Sequence, residues 1–332
     1  MPRRWPGPTC AGRARLNPAA DSYQAGFHRR WGHLEQDHVR ALAWLLDSPD
    51  LLDVDAAAWA GRVATLGAVT PAVADWLAGL DGDPSVLQAA LGDKPPTFLG
   101  LYAEKLMAFY FAAQGRLVRH GLQIRANRND TVGEFDFLLG HGPDALEHIE
   151  FATKFYLQGG ATASDLDALV GPNLADTLGL KMRKIFGRQL TLGQHPAAQA
   201  LLPRPVTVAR ALVKGWLFYP AGSWPEMRGI AAGHCRGFWC ALDEVDALAG
   251  EEFLILPRLQ WLAPFKAASA TWMMSRAQLH AELSAQFETS STPVLVSSVR
   301  YQPGRIEEIE RGFIVPNDWR ERAAARRMVK SV

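Results

Sequence analysis

The chain predicts a mixed α/β core preceded by a helical lobe, and three features carry that expectation. Apolar residues recur at helical spacing through residues 33–80. Residues 133–157, GEFDFLLGHGPDALEHIEFATKFYL, alternate apolar and polar positions as strands do. Beyond residue 220, segments of both periods follow one another, which completes a mixed α/β pattern.

The elements follow in order. Residues 1–30 are rich in Pro and Arg, hold Asp21 as their one acid, and read as a disordered basic tail without the apolar stretch of a secretory signal. His38, Leu42, Leu45 and Leu46 begin a helical lobe over residues 31–96, interrupted at Ser48-Pro49-Asp50. Thr97 suits the N-cap of a long helix to about Arg119, apolar nearly all round and therefore buried, with Gly121 as its stop. Strands are expected at 122–127 and within 133–157, followed by a Gly-rich loop at 159–162. Asn173 or Asp176 would cap a helix reaching about Leu192, and residues 209–219 form a central aliphatic strand. This 97–220 core is followed by a mixed α/β extension, 221–332. Its strands are expected at 237–242, 252–261, 293–301 and 311–315, and its helices at 276–287 and 318–328.

Composition narrows the function classes. The chain has 332 residues, 48% of them hydrophobic, enough for a full core. Its 35 Lys and Arg against 34 Asp and Glu argue against a wholesale polyanion binder but leave room for a local basic groove. Three cysteines, Cys10, Cys235 and Cys240, make no disulfide framework, so a reducing cytoplasm is the expected location. No apolar run is long enough to span a membrane, so no membrane partner is expected. Walker, GxGxxG and GxSxG motifs are missing, which disfavours nucleotide hydrolases, dinucleotide enzymes and serine hydrolases. His234 and Cys235 with Cys240 do not make a zinc pattern.

The charged residues inside the 133–157 strands are where chemistry is expected. Alternation sends Glu134 and Asp136 to one face and Phe135, Phe137 and Leu139 to the other. It likewise groups His148, Glu150, Ala152, Lys154 and Tyr156. Burying such groups without partners is costly. Glu104 has Gly100, Leu101, Met107, Ala108 and Phe111 as its helical neighbours, an apolar face on which a carboxylate needs a cation or a hydrogen bond. Lys181, Lys184 and Arg188 follow at i, i+3 and i+7, a basic stripe suited to phosphate contacts. Gln189 reads as an ordinary helix glutamine, with a hydrogen bond to a ligand carboxylate or a phosphate as its alternative role, and His148 as a structural histidine, with a base beside Glu150 as its alternative role.

The order helix, three strands, helix, strand over residues 97–220 is similar to the PD-(D/E)XK nuclease superfamily, with its restriction-endonuclease-like mixed sheet flanked by helices. The resemblance implies Asp136 as the second-strand acid, Lys154 as the third-strand lysine and Glu104 as the helix acid, with Mg²⁺ or Mn²⁺ as cofactor and nucleic acid as substrate. Ala152 departs from that pattern, because the superfamily's acid stands two residues before the lysine. Here the acid is Glu150, four residues before Lys154 and ~13 Å away along a strand, so Glu104 or Glu134 would have to complete the shell. A compact shell would bring Glu104, Asp136 and one further carboxylate within ~5 Å of a common point. The strings EFDFLL, KFYL and VGPN-x-x-D-x-L, with Arg188-Gln189-Leu190 after them, also resemble a bacterial family, domain of unknown function 1853, from about residue 30 onward. That family implies no activity. The expectation is a metal-dependent phosphodiesterase acting on nucleic acid. Its competitor is an inactive nuclease-fold protein that binds nucleic acid or a protein partner.

Overall fold

Ser22 accepts the backbone N–H of Ala25 and caps the first helix, α1 (Tyr23–Trp31), which buries Phe27 and Trp31. The structure, a computed structural model, describes residues 22–92, 96–127, 130–159, 165–223, 225–268, 273–302 and 304–330. The tail expected over residues 1–30 therefore gives way to helix by Tyr23, because Phe27 and Trp31 anchor that turn in the core; residues 1–21 lie outside the described residues. Helices α2 (Asp37–Asp47), α3 (Pro71–Gly82) and α4 (Ser85–Leu91) complete the N-terminal lobe, and α5 (Leu99–Ala113) packs on α2 and α4.

Helix α5 differs from expectation at both ends. Phe98, not Thr97, is its N-cap, and it makes no side-chain capping bond. The helix stops six residues before Arg119. Gly115, at φ +66°, donates to the Ala112 carbonyl, while Arg116 N–H reaches back to Phe111, so the last helical carbonyls are satisfied there. The chain passes directly into β1 (Leu117–Asn127), and Gly121, expected to end the helix, lies inside this strand.

The remaining elements are β2 (Asp130–Gly140), β3 (Leu146–Gln158), β4 (Leu169–Val170), α6 (Leu178–Gly187), a 3₁₀ segment Gln189–Gln194, α7 (Pro196–Gln199), β5 (Val206–Pro220), β6 (Cys235–Ala241), β7 (Glu252–Ile255), β8 (Lys266–Ala267), β9 (Met274–Ser275), α8 (Arg276–Thr289), β10 (Val294–Gln302), β11 (Arg305–Val315) and α9 (Trp319–Lys330). Thr177 caps α6, where Asn173 or Asp176 was expected, because its hydroxyl accepts the Leu180 N–H.

One mixed sheet carries the strand order β1-β2-β3-β5-β6-β11-β10-β7-β9. The pairs β3–β5, β5–β6 and β6–β11 are parallel, and the flanking pairs are antiparallel. The C-terminal segment thus extends the same sheet beyond β5. One face of the sheet packs on the N-terminal helices: Phe137, Phe151, Phe155 and Trp216 share a core with Trp31, Trp44 and Phe111. On the other face Ala152, Tyr156 and Val213 pack beneath Met182, Ile185 and Phe186 of α6, and Leu279 and Leu283 of α8 cover the far strands. The protein is therefore a mixed α/β molecule whose large sheet is flanked by helices.

Buried charges pin the lobe to this sheet. Arg311 is fully buried, pairs with Glu308 at 2.6 Å, donates to the Ala263 carbonyl at 2.7 Å and lies over the Trp216 ring. Arg40 of α2 reaches the Pro264 carbonyl at 2.8 Å, and Lys214 of β5 holds Asp50 at 2.8 Å and the Ser48 carbonyl. Glu147 of β3, also buried, takes Arg210 of β5 and Arg116. Removing one partner of such a pair strands the other in a low-dielectric interior. Arg311→Met is expected to lower the unfolding free energy by about 3–5 kcal/mol, read from denaturant midpoints. Adding Glu308→Gln should restore part of that. A single-variant loss below ~1 kcal/mol would mean that this pair does not secure residues 261–263 against β11.

Candidate functional site

The site starts where the β2–β3 ladder ends. The two strands pair from Gly140–Leu146 to Phe137–Ile149, and then β2 leaves β3. The N–H of Phe151, inside a strand buried along nearly its whole length, is left without a backbone acceptor on β2. The Asp136 carboxylate takes it at 2.8 Å. Strict alternation fails at the same place. Phe137 and Leu139 pack in the main core, but Phe135 packs with Ile124, Leu138 and Leu192 and meets His148 edge-on at 4.7 Å. The single face expected for Phe135, Phe137 and Leu139 is therefore divided, because β2 loses its β3 register after Phe137.

Asp136 and Glu150 are brought near enough that each acts on the other's titration. Burial, reinforced by the neighbouring Glu150 charge, raises the Asp136 carboxyl to about 7, against the opposing N–H of Phe151. Burial likewise lifts Glu150 to about 7, with Lys181 and Lys184 of α6 pulling it down. Two buried carboxyls that act on each other cannot both ionise cheaply, so such a pair holds a shared proton or a cation. Lys154 is half-buried farther along β3, and among the described residues it has no hydrogen-bond or ion-pair partner. Burial and the nearby Lys181 lower it to about 8, while Asp176, Asp136 and Glu150 act in the opposite direction. Glu150 and Lys154 thus feel one electrostatic environment despite their separation along the strand.

The other expected residues divide. Glu104 pairs with His120 of β1 at 2.8 Å, the partner its apolar surroundings required, and its charge still acts on Asp136 and Glu150. Glu134 stands apart beside Gly121, and none of the shifts at Asp136, Glu150 or Lys154 traces to it. Among the described residues no three His, Cys, Asp or Glu side chains form a group that could hold a metal, so the compact three-carboxylate shell does not form. Ala152, where the superfamily's acid would stand, is buried in the apolar cluster beneath α6. The basic stripe is also shorter than expected. Helix α6 ends at Gly187, and Arg188, outside helical geometry, donates to the Val132 carbonyl at 3.2 Å. Lys181 and Lys184 remain on the helix over the acids.

Two further residues complete the surroundings of Glu150. Gln189, two residues past that helix end, donates its amide N–H to Glu150. His148 is fully buried, its Nε2 lies 3.6 Å from Glu150 Oε2, and burial drives it down to about 4, so it is neutral. An Asp176–Tyr156 hydrogen bond of 2.8 Å ties the loop before α6 to β3, and Trp319 of α9 donates to Pro172 in the same loop.

The raised carboxyls have a consequence for stability. Their folded-state values lie above those of the unfolded chain, so the folded state holds protons that the unfolded state has released. Without metal, the pair's contribution is fully present near pH 4 and is lost as pH rises toward about 7. Asp136→Asn should flatten that decline when unfolding midpoints in chelator are compared across pH 4–8. An unchanged slope in the variant would show that the pair does not titrate as a unit.

Residues 40–315 match a family model described as Domain of unknown function (DUF1853). Neither a search of curated proteins nor one of solved structures found a match. Among the described residues no helix is long and apolar enough to cross a membrane.

Proposed function

We propose, for a chain that belongs to this family of unknown function, a metal-dependent phosphodiesterase of restriction-endonuclease-like type acting on nucleic acid. The observation that carries the reading is the pair of buried, mutually acting carboxyls, Asp136 and Glu150, where β2 parts from β3, with unpartnered Lys154 on the same strand. The donor set fits a hard divalent cation. Mg²⁺ or Mn²⁺ is commonly held by one or two carboxylates and completes its shell with water and substrate phosphate. A cation between Asp136 and Glu150 would replace the shared proton and relieve their repulsion.

When bound, such a cation lowers the pKa of a water and neutralises charge building on the phosphate. Asp136 and Glu150 hold the position. Lys154, lowered toward neutrality, orients the attacking water and offsets charge developing on the phosphate oxygens. Lys181 and Lys184, above the acids on α6, meet the phosphodiester backbone and give a salt-dependent affinity, to which Arg188 adds less because of its bond to Val132. Glu104, engaged by His120, adds negative charge to the site. One feature favours a second reading, a nuclease-fold protein that binds without cleaving: Ala152 leaves the usual acid position apolar.

Purified protein, labelled single- and double-stranded DNA and RNA, and titrated Mg²⁺ or Mn²⁺ separate the two readings. Metal-dependent cleavage that falls by about 10²-fold or more in both Asp136→Asn and Lys154→Met is expected for the enzyme. Binding without cleavage at any metal concentration, unaffected by Asp136→Asn, would establish the binding protein instead.

A further inference from the structure

The group beside Glu150 contains more buried polar atoms than its own hydrogen bonds satisfy. Gln189 Nε2 donates to Glu150 Oε1. Three other sets of buried atoms beside that bond find no partner among the described residues: Glu150 Oε2, Gln189 Oε1, and both ring nitrogens of His148. A buried polar atom left unpaired costs about 1–3 kcal/mol. Several around one carboxylate mark a place shaped for something besides folding.

We propose that Gln189 is a positioning residue that holds the Glu150 carboxylate in the orientation needed to face Asp136. The inference rests on the metal-dependent reading above. Its physical basis is the displaced acid. At position 150 the carboxylate starts four residues from Lys154 along β3, and it needs an external constraint to aim its free oxygen. The amide supplies one. With Oε1 engaged, the carboxylate cannot rotate about its last bond without losing that hydrogen bond, so Oε2 stays on the side of His148. A clamp works only from a fixed base, and the 3₁₀ segment carrying Gln189 is fixed on both sides. Leu190 is buried beneath α6, Leu192 is buried against Phe135 and Ile124, and Arg188 is tied to the β2 backbone. His148 closes the remaining side as a neutral ring braced edge-on by Phe135.

The test is Mn²⁺ binding to the metal-free full chain, followed by electron paramagnetic resonance, with metal-free unfolding midpoints measured alongside. Gln189→Met keeps the length and removes the donor; it is expected to weaken Mn²⁺ binding about 10- to 100-fold, as loss of an outer partner to a ligand does. Its metal-free midpoint should stay within a few degrees of wild type, and nucleic-acid affinity in chelator should not change. If that variant folds poorly, Gln189→Leu serves in its place: it too removes the donor without adding charge, and the same weakening is expected. In cleavage assays the loss should fall on kcat at fixed Mn²⁺ and be recovered by raising the metal concentration, with KM for nucleic acid unmoved. Wild-type affinity for Mn²⁺ in Gln189→Met, or a loss matched by general unfolding, overturns the proposal and leaves the metal reading standing. Wild-type protein that takes up no Mn²⁺ overturns both.

Discussion

Strand β3 is buried on both faces for nearly its whole length, and the rest of the molecule is arranged around that constraint. A strand in this position pairs its backbone completely and resolves the cost of every charge it carries. Its β5 side does so with a parallel ladder that is continuous from Glu147 to Leu157 after a register shift at Leu146. Glu147 is neutralised from two sides by Arg116 and Arg210. On the β2 side the ladder runs out after Ile149, and the only charged groups of β3 without a full complement of partners, Glu150 and Lys154, lie beyond that point. The site is thus defined by where the sheet stops satisfying itself.

This explains why Asp136 is more than an acid on a strand. It completes the hydrogen bonding of Phe151, which fixes its carboxylate at the opening between β2 and β3. The same bond places it near Glu150, and burial then prevents both from ionising freely. Structure and chemistry share one group here: the residue that satisfies the backbone also creates the electrostatic tension that a proton or cation relieves.

Much of this was legible in the chain. The alternation through Glu150 to Lys154 placed both residues on the α6 face, and Asp136 stood out as a carboxylate among phenylalanines. The apolar stretch around Phe111 announced a buried helix. Other parts were not legible, for identifiable reasons. The end of α5 at Gly115 depends on a positive φ that an apolar run conceals, so the helix was drawn too long and β1 too short. With β1 drawn from residue 122, His120 fell in the linker and its pairing with Glu104 was invisible. The divided faces of Phe135 and Phe137 arise from lost pairing with β3, a tertiary event that a period-two pattern does not encode. Gln189 reads as an ordinary helix glutamine because no local signal announces the stop at Gly187. That residue's contact with Glu150 spans 39 positions and leaves no local trace.

The parallel pairing of β3 with β5 also bears on how the chain reaches its fold. The ladder joins segments separated by the whole of α6, the 3₁₀ segment and α7, and such non-local pairing forms late. Until β5 arrives, β3 is the open edge of a hairpin rich in phenylalanine, an invitation to pair with another chain. Glu147, Glu150 and Lys154 occupy that edge throughout the interval. Charges that are costly once buried make the nascent edge a poor template for a second copy, so the charges of this strand also discourage association during folding.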